Sequence, residues 1–344
     1  IWMLHATAPG HGDTSRGAAL RRHLSSVLTV ATLLGATAVV GASPAHTLKL
    51  GAMGASKLYG RAGRSGGRGT AGRVAMVAKT GFRRIVAAGK GTGGMADDPT
   101  IRKEIIKLTS KKKPSVLYLG TASFEKEHNF LHQAGGFATS EGLAVDKLEL
   151  AWKAPSPRVI REKIAAADII LVSGGNTKFA VRKWKSLGVD RALREAMDRG
   201  AVMCGGSAGA ICWFDGGHSD SLDPTTTASY VKGGPAARAR VTDEMKTSWK
   251  YIRVSALGFV GGLVCPHHDT TQSNGTPRAD DFNEMLLKRR TEIGLCIENN
   301  AALVIDGDKF KVIDTDGKAR VLKKTVEGGE VVEERIGGPG IFES

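Results

Sequence analysis

An α/β fold, built on a mainly parallel sheet flanked by helices, is predicted by three features of the sequence. From Arg83 onward, short continuous apolar runs alternate with amphipathic stretches. Two of these runs end in glycine-rich turns that lead straight into helix-like segments, and four further strand-like pieces crowd the C-terminal part with little helix between them. Continuous apolar strands are the mark of strands buried on both faces, which is the situation in a parallel sheet.

In order, "RRIVAA" reads as a strand, "DDPTIRKEIIKLTS" as a helix, "SVLYLG" as a strand and "FEKEHNFLHQAGGFATSEG" as a helix. "AVDKLEL" (strand), "SPRVIREKIAAA" (helix) and "DIILVSGG" (strand) follow, then two helical pieces split at Gly188, then the strand "AVMCGG". Beyond Ile211 the pattern loosens. Residues 222–250 are polar and contain Gly and Pro, as in a surface excursion that serves as a lid or a long insert. After "VSALGFVGGLVCPHHD" comes a helix, "DDFNEMLLKRR", and then "IGLCIE", "AALVIDG", "KFKVID" and "ARVLKK", which fit an antiparallel extension at the sheet edge. Residues 83–344 are therefore expected to form one catalytic-size domain with an insert at about 222–250.

The 344 residues are 41% hydrophobic, enough for a sizeable core, and carry a formal charge of +15. That charge is unevenly placed: residues 1–82 hold ten Lys and Arg against the single acid Asp13, which leaves a modest excess on the rest. A basic groove for nucleic acid is not implied over the main domain. The basic start, apolar run and small-residue exit of "RRHLSSVLTVATLLGATAVVGASPAH", followed by a Gly-, Ala-, Ser- and Arg-rich stretch, read as a targeting presequence for a plastid or mitochondrion over residues 1–82, with the secretory pathway or the cytoplasm as alternatives. The apolar run is short for a stable membrane span. Cys204, Cys212, Cys265 and Cys296 all fall in apolar segments without a CxxC pair, which predicts buried, reduced thiols.

Gly205-Gly206-Ser207-Ala208-Gly209 fits G-x-S-x-G at a strand-to-helix junction. Such a turn needs residues without side chains around the serine, so that its Oγ projects above the sheet beside the N–H groups of the next helix. Ser207 is thereby a candidate nucleophile, and the Ala208 N–H one half of an oxyanion hole. The second turn, "SGGNT", offers the Gly175 N–H as the other half if its strand is a neighbour. A serine nucleophile needs a base and the base an orienting group. His267, at the carboxyl end of the strand in "VCPHHD", is the better placed histidine, with His268 beside it. His128 and His132 lie four apart on a helix without the glutamate of HExxH and read as exposed residues. Glu298, a lone carboxylate at the end of an apolar strand, is the leading candidate acid, with Asp220 and Asp269 as rivals.

The segments "DIILVSGGNT", "RGAVMCGGSAGAICWF", "GLVCPHHD", "GTPRADDFNEML" and "IGLCIENNAALV", in that order, resemble the peptidase E family of serine peptidases, family S51, with its aspartyl dipeptidases and, more distantly, cyanophycinases. The resemblance spans about residues 83–315. It implies a fold similar to class I glutamine amidotransferases, with antiparallel edge strands, and a serine at the elbow where those enzymes have cysteine. It also implies Ser207 as nucleophile, His267 as base, Glu298 as orienting acid and Asp220 as a residue that matters for activity. Gly175 and Ala208 would supply the oxyanion N–H groups, and Arg278 and Asn176 would bind substrate, Arg278 by pairing with an acidic side chain. The implied activity is hydrolysis of short peptides, first of all dipeptides with N-terminal Asp, without a metal or other cofactor.

The alternatives are a cyanophycinase-like or isoaspartyl peptide hydrolase and a non-catalytic amidotransferase-like binding domain. Two motif-based rivals also stand. Gly89-x-Gly91-x-x-Gly94 formally suits a dinucleotide site but lacks the acid expected at the end of the next strand. A metal-dependent hydrolase would draw on His218, Asp220, His267, His268 and Asp269.

Overall fold

The computed structural model describes residues 83–92, 94–337 and 340–341. The targeting segment read over 1–82 lies outside the described residues. The first half alternates as the apolar runs predict: β1 (Arg84–Ala88), α1 (Pro99–Leu108), β2 (Val116–Leu119), α2 (Glu127–Thr139), β3 (Val145–Lys147), α3 (Pro157–Ala165), β4 (Ile169–Val172), α4 (Thr177–Leu187), α5 (Val189–Asp198) and β5 (Val202–Gly206). The helix starts follow local chemistry. Asp98 accepts the Thr100 and Ile101 N–H groups with Pro99 at the first helical position, and Ser156 and Asn176 cap α3 and α4 in the same way. Gly188, at φ 72°, ends α4 and starts α5, where a left-handed residue is needed.

The second half runs α6 (Ala208–Ile211), β6 (Phe214–Ser219), α7 (Ala228–Lys232), α8 (Gly234–Ala239), α9 (Asp243–Thr247), β7 (Ile252–Ser255), β8 (Val260–Pro266), α10 (Arg278–Leu287), β9 (Gly294–Ile297), β10 (Ala301–Asp306), β11 (Lys309–Asp314), β12 (Val321–Glu327), β13 (Glu330–Ile336) and β14 (Gly340–Ile341). These strands divide between two sheets. One has the order β14-β11-β10-β1-β5-β4-β2-β3, the other β13-β12-β9-β8-β6-β7. In the first, β1, β5, β4, β2 and β3 are parallel, and β10 and β11 extend its edge antiparallel, as expected. The expectation that all four C-terminal runs join that edge is corrected. "IGLCIE" becomes β9, parallel to β8, and "ARVLKK" becomes part of β12, antiparallel to β9, in the second sheet. An apolar run of four to seven residues satisfies either sheet equally, so its partner is a tertiary choice.

Alternation within each strand divides the core. Ile85 and Ala87 face the layer containing α3, α4 and α5, while Val86 and Ala88 face α1 and α2. Val264, Leu295 and Ile297 of the second sheet belong to the first of these clusters, so the two sheets share one core. Leu263, Cys265 and Cys296 point the other way, against Phe282 and Leu286 of α10. All four cysteines are free and buried. Among the described residues no helix is long and apolar enough to cross a membrane.

Ile170, in central β4, is fully buried. Ile170→Ala is expected to lower unfolding free energy by about 2–5 kcal/mol, through lost transfer energy and the cavity left behind. A urea titration would read this as a lower midpoint at unchanged slope.

Candidate active site

At the carboxyl end of β5 the chain turns into α6 through Ser207, whose φ of 57° and ψ of −119° lie outside the regions ordinary residues adopt. Packing on both sides requires the surrounding glycines. A Cβ on Gly206 would lie 2.1 Å from the Lys90 carbonyl oxygen, and one on Gly209 2.4 Å from that of Val172. The Ser207 N–H donates to the Ala88 carbonyl at 3.1 Å, so the ends of β1, β4 and β5 are drawn together beneath the serine. Its own carbonyl accepts from Ala210 and Ile211 and starts α6. No protein acceptor among the described residues takes the Ala208 N–H.

The "SGGNT" turn after β4 lies against this elbow: a side chain on Gly174 would come within 3.4 Å of Ser207 Cβ. Gly175, at φ 127°, has its carbonyl-flanked backbone pressed so closely to Ala122 that a Cβ would sit 2.2 Å from the Ala122 oxygen. The Gly175 N–H likewise has no protein acceptor among the described residues. β4 and β5 are neighbours, as the oxyanion reading required.

His267 follows β8 at φ 53°. Its N–H donates to Gly89 and its carbonyl accepts from Thr270, which fixes the backbone. The ring is tied through Nδ1 to Asn299 Oδ1 at 2.6 Å, and Asn299 in turn donates Nδ2–H to Thr270 Oγ1 and its backbone N–H to Asp269. With the amide oxygen toward the ring, the imidazole proton sits on Nδ1 and the Nε2 lone pair is left free. Burial, helped by the positive charge of Arg278, holds His267 below the ordinary imidazole value, against the opposing pull of Asn299, Asp220 and Asp269. The balance favours the neutral ring, the form a general base needs. Ser207, His267, Asn299 and Gly175 border one cavity of about 570 Å³. Ser207 Oγ makes no hydrogen bond to His267 here, a looseness common before substrate binds.

Three of the expected site residues are bonded elsewhere than to a substrate space, although Asn176 also borders the cavity. Glu298 does not reach His267: its carboxylate accepts the Arg320 N–H at 2.7 Å and Nε at 2.9 Å and pairs with the same guanidinium. Successive residues at a strand end point to opposite sides, so Glu298 turns toward β12 while Asn299 turns under the histidine. Arg278 is 1% exposed and does not border the cavity. Its guanidinium donates to Gln272 Oε1, to the His218 carbonyl and, at 3.4 Å, to Asp220, and lies over the Tyr251 ring. Asn176 is committed as well: Oδ1 caps α4 through the Phe179 N–H, and Nδ2 donates to the Ser221 and Thr226 carbonyls. It thus ties the 222–250 excursion to the oxyanion turn.

The excursion does reach the site, since Thr225, Thr226 and Val231 form part of the cavity wall. Asp220 is not on that wall but behind it, bonded to Gln272 and Arg278. Burial pushes its carboxyl up, but Arg278, Gln272 and His267 together outweigh this and hold it below the usual carboxylate range. His128 and His132 are exposed on α2. His218 is bonded to Asp281 beside Tyr251, and among the described residues no three His, Cys, Asp or Glu side chains converge as a ligand set. The glycines of the Gly89–Gly94 motif serve packing, Gly89 against the Glu298 carbonyl and Gly91 against Gly174. Sequence reasoning missed Asn299 and Gln272, since an amide in a loop carries no signal of its own.

The family model described as Peptidase family S51 matches residues 85–313. A Bacillus subtilis protein named uncharacterized peptidase YgaJ is 26% identical over 254 residues, 73% of this chain and 96% of that protein. A Trypanosoma brucei brucei protein named G2/mitotic-specific cyclin-1 is 26% identical over 244 residues, 64% of this chain and 71% of its own. Among solved structures, a peptidase from an acI-B1 Actinobacterium is 19% identical, covers 76% of this chain and 97% of its own, and superposes with a TM-score of 0.54, a likeness of fold.

Asp220→Asn leaves the buried Arg278 without its counter-charge, and a loss of about 3–5 kcal/mol of stability at neutral pH is expected. Because the folded-state pKa is depressed, the stabilisation is present above the unfolded carboxylate value and disappears as pH falls through the folded one. Unfolding free energy measured from pH 7 downward should therefore converge between the parent protein and Asp220→Asn in acid.

Proposed function

Because the chain belongs to peptidase family S51, we propose that it is a serine-type peptidase that hydrolyses short peptides. Ser207 is the nucleophile, His267 the general base and Asn299 the group that orients the base. The observation that carries this reading is the pair of strained residues: Ser207 and His267 are two of five non-glycine residues at positive φ among the described residues, and both border one cavity. Backbone strain of that kind persists where the surroundings enforce it, and it collects at reacting groups.

In the proposed reaction His267 Nε2 takes the hydroxyl proton as Ser207 Oγ bonds to the peptide carbonyl carbon. The oxygen of the tetrahedral intermediate is met by the Gly175 and Ala208 N–H groups, each such donor being worth about 2.7–4 kcal/mol of barrier. Collapse breaks the C–N bond, and the imidazolium returns its proton to the departing amine. Water, deprotonated by the same Nε2, then attacks the acyl-enzyme, releasing the acid and restoring Ser207. The amide of Asn299 cannot take up charge. It holds the tautomer, and so supports a base that works from a depressed pKa rather than one strengthened by a neighbouring carboxylate.

The wall contributed by the excursion supports a short substrate, and dipeptides with N-terminal Asp are the first to test. Arg278 is buried, bonded internally and off the cavity wall, so the reading does not rest on it for recognition of an acidic side chain. On a panel of Asp-Leu, Glu-Leu, isoaspartyl-Leu and Leu-Leu, Ser207→Ala should lower kcat by on the order of 10⁴-fold or more. Activity surviving that change would refute the nucleophile, and no turnover of any dipeptide would favour the binding-domain reading.

The base should also show itself in pH dependence. kcat/KM falls as His267 becomes protonated, so its acidic limb lies below the ordinary imidazole value of about 6.5. Asn299→Asp places a negative charge on Nδ1–H and should move that limb to higher pH, whereas Asn299→Leu should cut kcat by on the order of 10²-fold. An unmoved limb in Asn299→Asp would mean that His267 is not the titrating group.

A further inference from the structure

With Arg278 withdrawn from the cavity, recognition of a charged substrate needs another source, and the wall supplies one. Lys90, half-buried, and Lys126, exposed, both border the space that Ser207 borders, and no Asp or Glu does. Neither lysine has a carboxylate partner among the described residues. Elsewhere the protein pairs its cations readily: Lys147 with Glu127, Lys163 with Asp146 and Lys311 with Glu104.

The two lysines are placed by the same contacts that build the elbow. The Lys90 carbonyl is the group that excludes a Cβ from Gly206, and its stem lies over Gly94, where a Cβ would come within 2.4 Å of Lys90 Cγ. Lys126 is the residue before α2, at the end of the turn that carries Ala122, against which the oxyanion Gly175 is pressed. Asn129 and Gln133, four residues apart and so on one face of α2, border the cavity between them and add uncharged hydrogen-bonding groups. An open cavity with two unbalanced cations and neutral polar walls favours an anion, and a lysine ammonium serves a carboxylate as a mobile point charge.

Resting on the peptidase reading for the identity of the cavity, we infer that Lys90 and Lys126 form the carboxylate subsite of this enzyme and set its substrate preference. The carboxylate has two sources in a dipeptide, the side chain of an N-terminal Asp and the free C-terminus, and the lysines serve whichever lies on their side of the scissile bond.

The test reads binding rather than turnover, so that it stands apart from the catalytic proposal. Full-chain Ser207→Ala protein is titrated calorimetrically with Asp-Leu, Asp-Leu amide, Ala-Leu and Ala-Leu amide. Binding of Asp-Leu and its amide over both Ala peptides assigns the subsite to the side chain; binding of both free acids over both amides assigns it to the C-terminus. In either case Lys90→Met and Lys126→Met should each weaken the favoured peptides by about tenfold, with the loss partly restored by Lys→Arg and diminished by added salt. Equal binding of Ala-Leu amide, full affinity in both Met variants, or no binding of any of the four peptides would overturn the inference. Failure of Ser207→Ala to abolish turnover would instead remove the mechanism and leave the subsite standing.

Discussion

The close approach of Gly206 to the Lys90 carbonyl is the constraint on which the rest of the site depends. A backbone-to-backbone contact that leaves no room for a Cβ brings the carboxyl ends of β1 and β5 together, and the Ser207 N–H to Ala88 bond locks them. With Gly209 pressed in the same way on Val172, the end of β4 joins them. Ser207 has no ordinary conformation available under those contacts, so its side chain is lifted clear of the sheet and the first N–H groups of α6 are left without protein partners. A carboxyl-end location for chemistry is what a parallel sheet offers, because its strand ends and helix starts converge there.

The proposed base comes from the second sheet and is brought to the first. β8 leads to His267 and β9 to Asn299, so the parallel pairing of these two strands brings an amide to the ring. Behind them a buried guanidinium is balanced by Asp220, Gln272 and the His218 carbonyl. This group acts on the site through its charge. It disfavours the imidazolium, keeps Asp220 ionised, and leaves the cavity-facing lysines as the accessible positive charge.

Much of the fold was legible because its signals are local. Runs such as "IILV" and "VMCGG" announce buried strands, Asp98-Pro99 and Ser156-Pro157 announce helix starts, and Gly188 marks a break that α4 and α5 respect. The elbow was legible for the same reason, since its glycines and serine are consecutive. The division into two sheets was not, because "IGLCIE" has no feature that prefers β8 over the edge of the first sheet. Glu298 and Arg278 illustrate the further limit: each is a charged residue in a suggestive segment, and each found a partner of opposite charge, the exposed Arg320 in one case and the half-buried Asp220 in the other.

By itself, the sequence determined an α/β chain with a strained serine turn, a histidine at a later strand end, and a family likeness that joins them. Those are properties of contiguous residues, governed by backbone sterics and by periodicity. Only the tertiary structure decided that Asn299 rather than Glu298 lies against His267, that Arg278 and Asn176 are engaged internally, and that the 222–250 excursion walls the cavity. Each of those outcomes depends on which groups distant in the chain come within hydrogen-bonding distance, and a one-residue change of direction at a strand end is enough to exchange one side chain for its neighbour.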